Sequence, residues 1–378
     1  MSSYAFDTFL YNLVVGGYVP RPVATTISIV TPNYNYFLNR AGIDAIKVDN
    51  TLYIIGGFNQ YDFYPRITIY NTETGKVSNE IDLPTSLIFH YAELYDNAIY
   101  IYGGDQAGDD INKLYKFDIE SESITELSSS EERLYFSMDL YNSKLYVTGG
   151  YNDDNYFDNL LVYDIESDTW ETIGSDLTFL RRYRHASIVI GNDLYIFGGI
   201  DESGNLLNDL WRINLNDLSF EQVNLSGDVP HSRYNCRLVS YDNYLYIING
   251  MGKWRAYSDI IRVNLSNGIC ESMCNFSAPR SDFDYIIHND YVILLGGYDG
   301  VAQFIKDVTI YDIENNVIVV DTHSHSVLTN PLYIFASLNL SDSSESNKYT
   351  LRVIEQGLGI FHNDELIGYF DETGYHIV

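Results

Sequence analysis

The chain has 378 residues, and 22 Lys and Arg stand against 52 Asp and Glu, a formal net charge of −30 at pH 7. A field of that sign repels nucleic-acid phosphates and anionic lipid heads, so nucleic-acid and membrane partners are set aside. Apolar residues reach 46 %, enough for a sizeable core, yet no run approaches the roughly 18 apolar residues of a membrane span.

In chain order, an apolar run ending in Gly-Gly comes first at Gly16-Gly17 and returns at Gly56-Gly57, Gly103-Gly104, Gly149-Gly150 and Gly198-Gly199. It recurs as Asn249-Gly250 and Gly296-Gly297. Successive spacings are 40, 47, 46, 49, 51 and 47 residues. That period is too long for a helix-pair repeat and suits a four-stranded propeller blade. Before each run stands a turn rich in Asn and Asp, such as Asp49-Asn50, Asp96-Asn97, Asn192-Asp193 and Asp242-Asn243. These residues tolerate the positive φ of tight hairpins. Thirteen or fourteen places after the second glycine comes an apolar or aromatic residue: Val30, Tyr70, Phe117, Tyr163, Ile213, Val263 and Tyr311. The fullest copy, YDIESDTW, ends in Trp170.

The Gly-Gly, the spaced Tyr-Asp and the trailing Trp resemble the kelch repeat over about residues 10–320. The resemblance implies an all-β, kelch-type β-propeller with blades of four antiparallel strands. Seven blades are expected, with six or eight as alternatives. The strand-like runs at about 330–378 are expected to close the ring by pairing with the N-terminal segment. Residues 1–378 then form a single propeller domain, expected to be a monomer. The start, MSSYAFDTFL, lacks a basic stretch before an apolar one. Three cysteines cannot make a disulfide framework, so a cytoplasmic location is expected.

Within the repeat, the position sixteen residues before the first glycine holds Arg40, Leu87, Arg133, Arg182, Arg233 and Arg280. Arginine in five of six places is a register effect, and it falls at the entry of the innermost strand. Two readings stand: structural pairing with Asp or loop carbonyls, or a ring of guanidiniums that binds carboxylates at the channel mouth. In kelch adaptors of acidic peptides, Arg at this repeat position contacts the ligand, and the resemblance implies the same surface. The loops of that face add Tyr61, Tyr64, Tyr156, Trp254 and Arg255, residue types common at interaction hot spots. The other face is acidic, through IESES after Phe117 and IESD after Tyr163, and reads as a solvated surface.

Catalytic signatures are not apparent. His90 and His185 share a repeat position with Cys236 and Phe283, which reads as inner-strand packing. His323 and His325 lack a third ligand, and Cys270 and Cys274 lack a second pair, so no metal and no cofactor are expected. The expected function is a non-catalytic scaffold that holds a partner protein or acidic peptide on the Arg- and aromatic-rich face. The alternative is a carbohydrate- or small-molecule-processing enzyme, mutarotase-, lyase- or oxidase-like, with its site at the channel mouth.

Overall fold

The computed structural model describes residues 38–321, apart from a few loop positions, and four strands between 349 and 377. Six sheets, each with four consecutive antiparallel strands, follow one another along the chain, and in the fifth the short strand Ser226–Gly227 adds in parallel to the outer edge. They are blade 1 (Ala41–Asp82), blade 2 (Tyr91–Glu126), blade 3 (Ser137–Ile173), blade 4 (Ala186–Val223), blade 5 (Arg237–Asn275) and blade 6 (Asp284–Asp321). In each, the first strand is innermost and the Gly-Gly run is the second.

The second strands are apolar on both faces because each sheet is sandwiched between two neighbours. In blade 1, Leu52 and Ile54 pack toward blade 6 with Ile286 and Ile293, while Tyr53 and Ile55 pack toward blade 2 with Ile99 and Phe117. Equivalent apolar clusters fill the junctions of blades 2 and 3, 3 and 4, 4 and 5, and 5 and 6. The spaced residue of the third strand lies opposite the second strand in every blade: Leu52 pairs with Tyr70, Ile99 with Phe117, Leu145 with Tyr163, Leu194 with Ile213, Leu245 with Val263 and Val292 with Tyr311. Trp170 pairs with Tyr163 and its ring lies 4.8 Å from that of Tyr102, so the trailing Trp of blade 3 packs on blade 2.

Two expectations need correction. The ring closes at six blades, the lower alternative, because blade 6 abuts blade 1 directly: Gly297 N–H donates to Arg40 O at 2.8 Å and Ala45 N–H to Asp284 Oδ2 at 2.7 Å. Nor do the described strands near the C-terminus complete a blade. Blade 1 takes all four strands from one continuous stretch, and Tyr349–Ile354, Gly357–His362, Glu365–Asp371 and Gly374–Ile377 form a four-stranded sheet of their own. The Gly16-Gly17 copy, Val30, His323 and His325 lie outside the described residues.

Candidate functional site

The Arg register is built into the blades. Arg40, Arg133, Arg182, Arg233 and Arg280 are all buried, none more than 2 % exposed. Each sends Nη1 to the carbonyl of the first Gly-Gly residue of its own blade, at 2.8, 3.3, 2.9, 2.8 and 2.9 Å. Nη2 reaches the third strand: Thr68 for Arg40, Asn159 for Arg133, Asp209 for Arg182, Asp259 for Arg233 and Thr309 for Arg280. Asp209 and Asp259 are bound through both oxygens. The arginine's own carbonyl accepts the second-glycine N–H of the preceding blade, as from Gly150 to Arg182 and Gly199 to Arg233. Leu87 makes the same backbone link with Gly57.

This register fixes why Gly-Gly is needed. Both glycines have positive φ, and a Cβ on Gly198 would lie 2.6 Å from Arg233 O. The loop after Gly-Gly then drops an aromatic ring over the guanidinium: Tyr64 over Arg40 at 4.7 Å, Phe157 over Arg133 at 4.0 Å and Tyr257 over Arg233 at 4.3 Å. The five arginines therefore follow the structural-pairing reading, their guanidiniums buried and bonded within their own blades. Tyr64 is likewise tied down, its hydroxyl accepting from Asn59 Nδ2 at 2.6 Å.

The surface at the mouth is set two residues further on. Fourteen residues before the first glycine stand Gly42, Phe89, Tyr135, Arg184, Asn235 and Asp282, one per blade, all with φ between +51° and +62°. The left-handed region is unusual for Phe, Tyr and Arg, and strain of this kind gathers at functional sites. The ring is stitched by its own backbone. Arg184 N–H donates to Tyr135 O at 2.8 Å, Asn235 to Arg184 O at 2.9 Å and Gly42 to Asp282 O at 2.8 Å. These residues line a mouth cavity whose floor includes Tyr91 and Arg237.

Aromatic rings continue this lining as an arc over blades 6, 1, 2, 3 and 4. Phe304 meets Phe58 at 5.6 Å, Phe58 meets Phe89 at 5.5 Å, Phe89 meets Tyr135 at 5.1 Å, and Tyr151 meets Tyr156 at 5.4 Å and Tyr183 at 5.0 Å. Arg184 rests inside, its Cζ 4.0 Å from the Tyr135 ring centre. On blade 5 the turn Gly252–Arg255, closed by Gly252 N–H to Arg255 O at 2.8 Å, lifts Trp254 to 87 % exposure. Lys253 lies over the Trp254 ring and Arg255 over that of Tyr257. Tyr61 is also exposed. Of the expected contact residues, Tyr61, Tyr156, Trp254 and Arg255 thus lie on loops of this face. Phe89, Tyr135, Arg184, Asn235 and Asp282 are additions.

Below the mouth the channel is lined by acids. Arg237 donates from Nε to Asp284 Oδ1 at 3.0 Å and from Nη2 to Asp44 Oδ1 at 3.4 Å. Glu93 and Asp139 share this compartment, and burial holds Asp44 and Glu93 well above the usual carboxylate range and pushes Asp139 up to about 7. Burial also pushes His90 and His185 down to about 3, and His185 Nε2 bonds with Ser137 Oγ at 2.7 Å. Both histidines pack between blades, as their repeat position suggests. Among the described residues no group of three or more His, Cys, Asp and Glu is placed to hold a metal, and no helix is long and apolar enough to cross a membrane.

A family profile described as the KLHDC2/KLHL20/DRC7 Kelch-repeats domain matches residues 18–176 and 135–320. The chain belongs to the kelch-repeat family. Human Kelch domain-containing protein 10 is 31 % identical over 133 residues, covering 32 % of this chain and 30 % of that protein. Mouse Kelch domain-containing protein 2 is 36 % identical over 94 residues, 22 % of this chain and 23 % of that protein. Tip elongation aberrant protein 1 of Schizosaccharomyces pombe is 28 % identical over 141 residues, 34 % of this chain and 12 % of that protein. The matched stretch thus spans about a third or less of each of these relatives. Kelch propellers are typically protein-interaction modules, and this kelch chain carries its irregular, aromatic-rich loops on the mouth face.

Proposed function

We propose that this kelch propeller is a non-catalytic, monomeric, cytoplasmic interaction module whose mouth face holds an acidic stretch of a partner protein or peptide. One observation carries the reading. Most arginines of the described chain are paired with carboxylates, as Arg66, Arg181, Arg212 and Arg262 are. Lys253 and Arg255 instead flank an exposed Trp254 and rest on aromatic rings, with no carboxylate within 4.0 Å among the described residues. Cations that the fold does not use, beside a solvent-facing Trp, have the composition of a binding hot spot.

The net charge of −30 does not defeat this reading. At physiological ionic strength exposed charges are screened beyond about 8 Å, so a bound carboxylate senses the local cations more than the distant acids. Three free cysteines are in keeping with a reducing compartment.

The test is a pull-down from a lysate of the source cells, comparing wild type with Lys253→Glu/Arg255→Glu and with Trp254→Ala. A protein with an acidic segment should be retained by wild type and lost at least tenfold from both variants, whose melting temperatures should stay within a few degrees. Equal recovery by all three would remove this face from the function.

A further inference from the structure

Arg182 and Arg184 stand two residues apart and have opposite fates. Arg182 is buried, and its donors are taken by Phe179 O, Gly198 O and Asp209. Among the described residues Arg184 makes no hydrogen bond through its guanidinium and lies on ring faces, with Tyr135 at 4.0 Å, Phe89 at 5.0 Å and Tyr234 at 5.8 Å from Cζ. Ring faces fix the plane of a guanidinium and leave its edge donors unfilled. A planar cation held in this way is ready to take a carboxylate through two parallel hydrogen bonds.

One carboxylate already faces it. Asp282 Oδ1 lies 3.9 Å from Arg184 Nη1, too far for a hydrogen bond. Asp282 is anchored elsewhere, by Asn235 Nδ2 on Oδ1 and by Ser281 Oγ on Oδ2 at 2.9 Å. Its backbone carbonyl takes the Gly42 N–H. It therefore offsets the charge of Arg184 without using its donors, and it cannot swing away when another anion arrives.

We infer that Asp282 is an internal competitor for Arg184: a fixed like charge that a partner's carboxylate must overcome to seat on the guanidinium. The inference rests on the proposed function and adds a specificity element to it. Isolated carboxylates are rejected at the mouth, and a segment is admitted only where further contacts, such as those at Trp254, offset the repulsion. Two like charges a few ångströms apart at an effective dielectric near 20 repel by more than a tenfold change in affinity requires.

The experiment uses the full chain and fluorescein-labelled hexaglutamate, read by anisotropy, with hexalysine as control. Asp282→Asn should bind hexaglutamate at least about tenfold more tightly than wild type. Adding Arg184→Gln to Asp282→Asn should abolish the gain. Asp282→Ser, which also removes the charge, guards against a folding defect peculiar to the first variant, and thermal melts check both. Hexaglutamate affinity in folded Asp282→Asn or Asp282→Ser that equals or falls below wild type overturns the inference. So does the absence of binding to either variant at about 1 mM, a free energy near −4 kcal/mol, or a gain that survives Arg184→Gln. The broader reading fails differently: partner recovery is then unchanged by the Lys253, Arg255 and Trp254 variants, whatever Asp282 does.

Discussion

Arg233 is fully buried, yet each side of its guanidinium is bonded: to Asn249 O at 2.8 Å, to His231 O at 3.0 Å and to both oxygens of Asp259. Truncating one partner of such a pair leaves a desolvated charge and an unpaired carbonyl, at a cost of about 3–5 kcal/mol. Arg233→Ala and Arg182→Ala should each destabilise by that amount in chemical denaturation. A loss below about 1 kcal/mol would show that the arginines are spare for ligand contact after all. The register of these residues was legible in the sequence because one residue type repeats at one offset. Their burial was not, because an offset places a residue along a strand without saying whether its side chain turns inward. The mouth residues fail in the opposite way. Gly42, Phe89, Tyr135, Arg184, Asn235 and Asp282 share a backbone conformation but no chemistry, so nothing in the residue types marks them as one set.

Between blades the apolar clusters do most of the joining, but the inner strand adds a polar device. It is an edge strand, and its unpaired N–H groups face the channel. A carboxylate from the preceding blade fills several of them. Asp284 accepts from Ala45, Asp44 from Ala92, Glu93 from Leu140, and Asp139 from Val189 together with Ser187 Oγ. These acids lie dozens of residues apart in the chain, and only ring geometry brings them together, so the sequence shows them as scattered charges. Burial raises their pKa values, which sets the sign of a pH effect. A raised carboxyl pKa contributes stability below the unfolded value near 4 and loses it as pH rises through the folded value. For Asp139 that window ends at about 7. Within it the loss approaches 1.4 kcal/mol per pH unit for one group. Asp139→Asn keeps an acceptor for Ser187 and removes the titration. Its melting temperature should therefore gain on that of wild type as pH rises from 5 to 8. Parallel melting curves across this range would show that Asp139 does not carry the proton assigned to it.

At the scale of the whole molecule, the seven Gly-Gly copies and the six-bladed ring differ by one for a physical reason. A Gly-Gly marks the end of a second strand, and a blade also needs an inner strand before it and two strands after. The first copy lies outside the described residues, whereas each copy from Gly56 onward has all four. Closure then needs no borrowed strand. Leu52 and Ile54 of blade 1 already pack on Ile286 and Ile293 of blade 6, and Arg40 O already takes the Gly297 N–H. The junction of blades 6 and 1 thus has the same apolar cluster and the same Gly-to-Arg backbone bond as the junction of blades 3 and 4, where Gly150 meets Arg182. If the ring is held by six like junctions, residues 38–321 should fold without the rest of the chain. That fragment should unfold in one cooperative transition, with a melting temperature within about 5 °C of the full chain, a difference of about 3 kcal/mol in a protein of this size. A fragment that is unfolded, or that melts in two steps, would place a seventh closing element in the segments on either side of it.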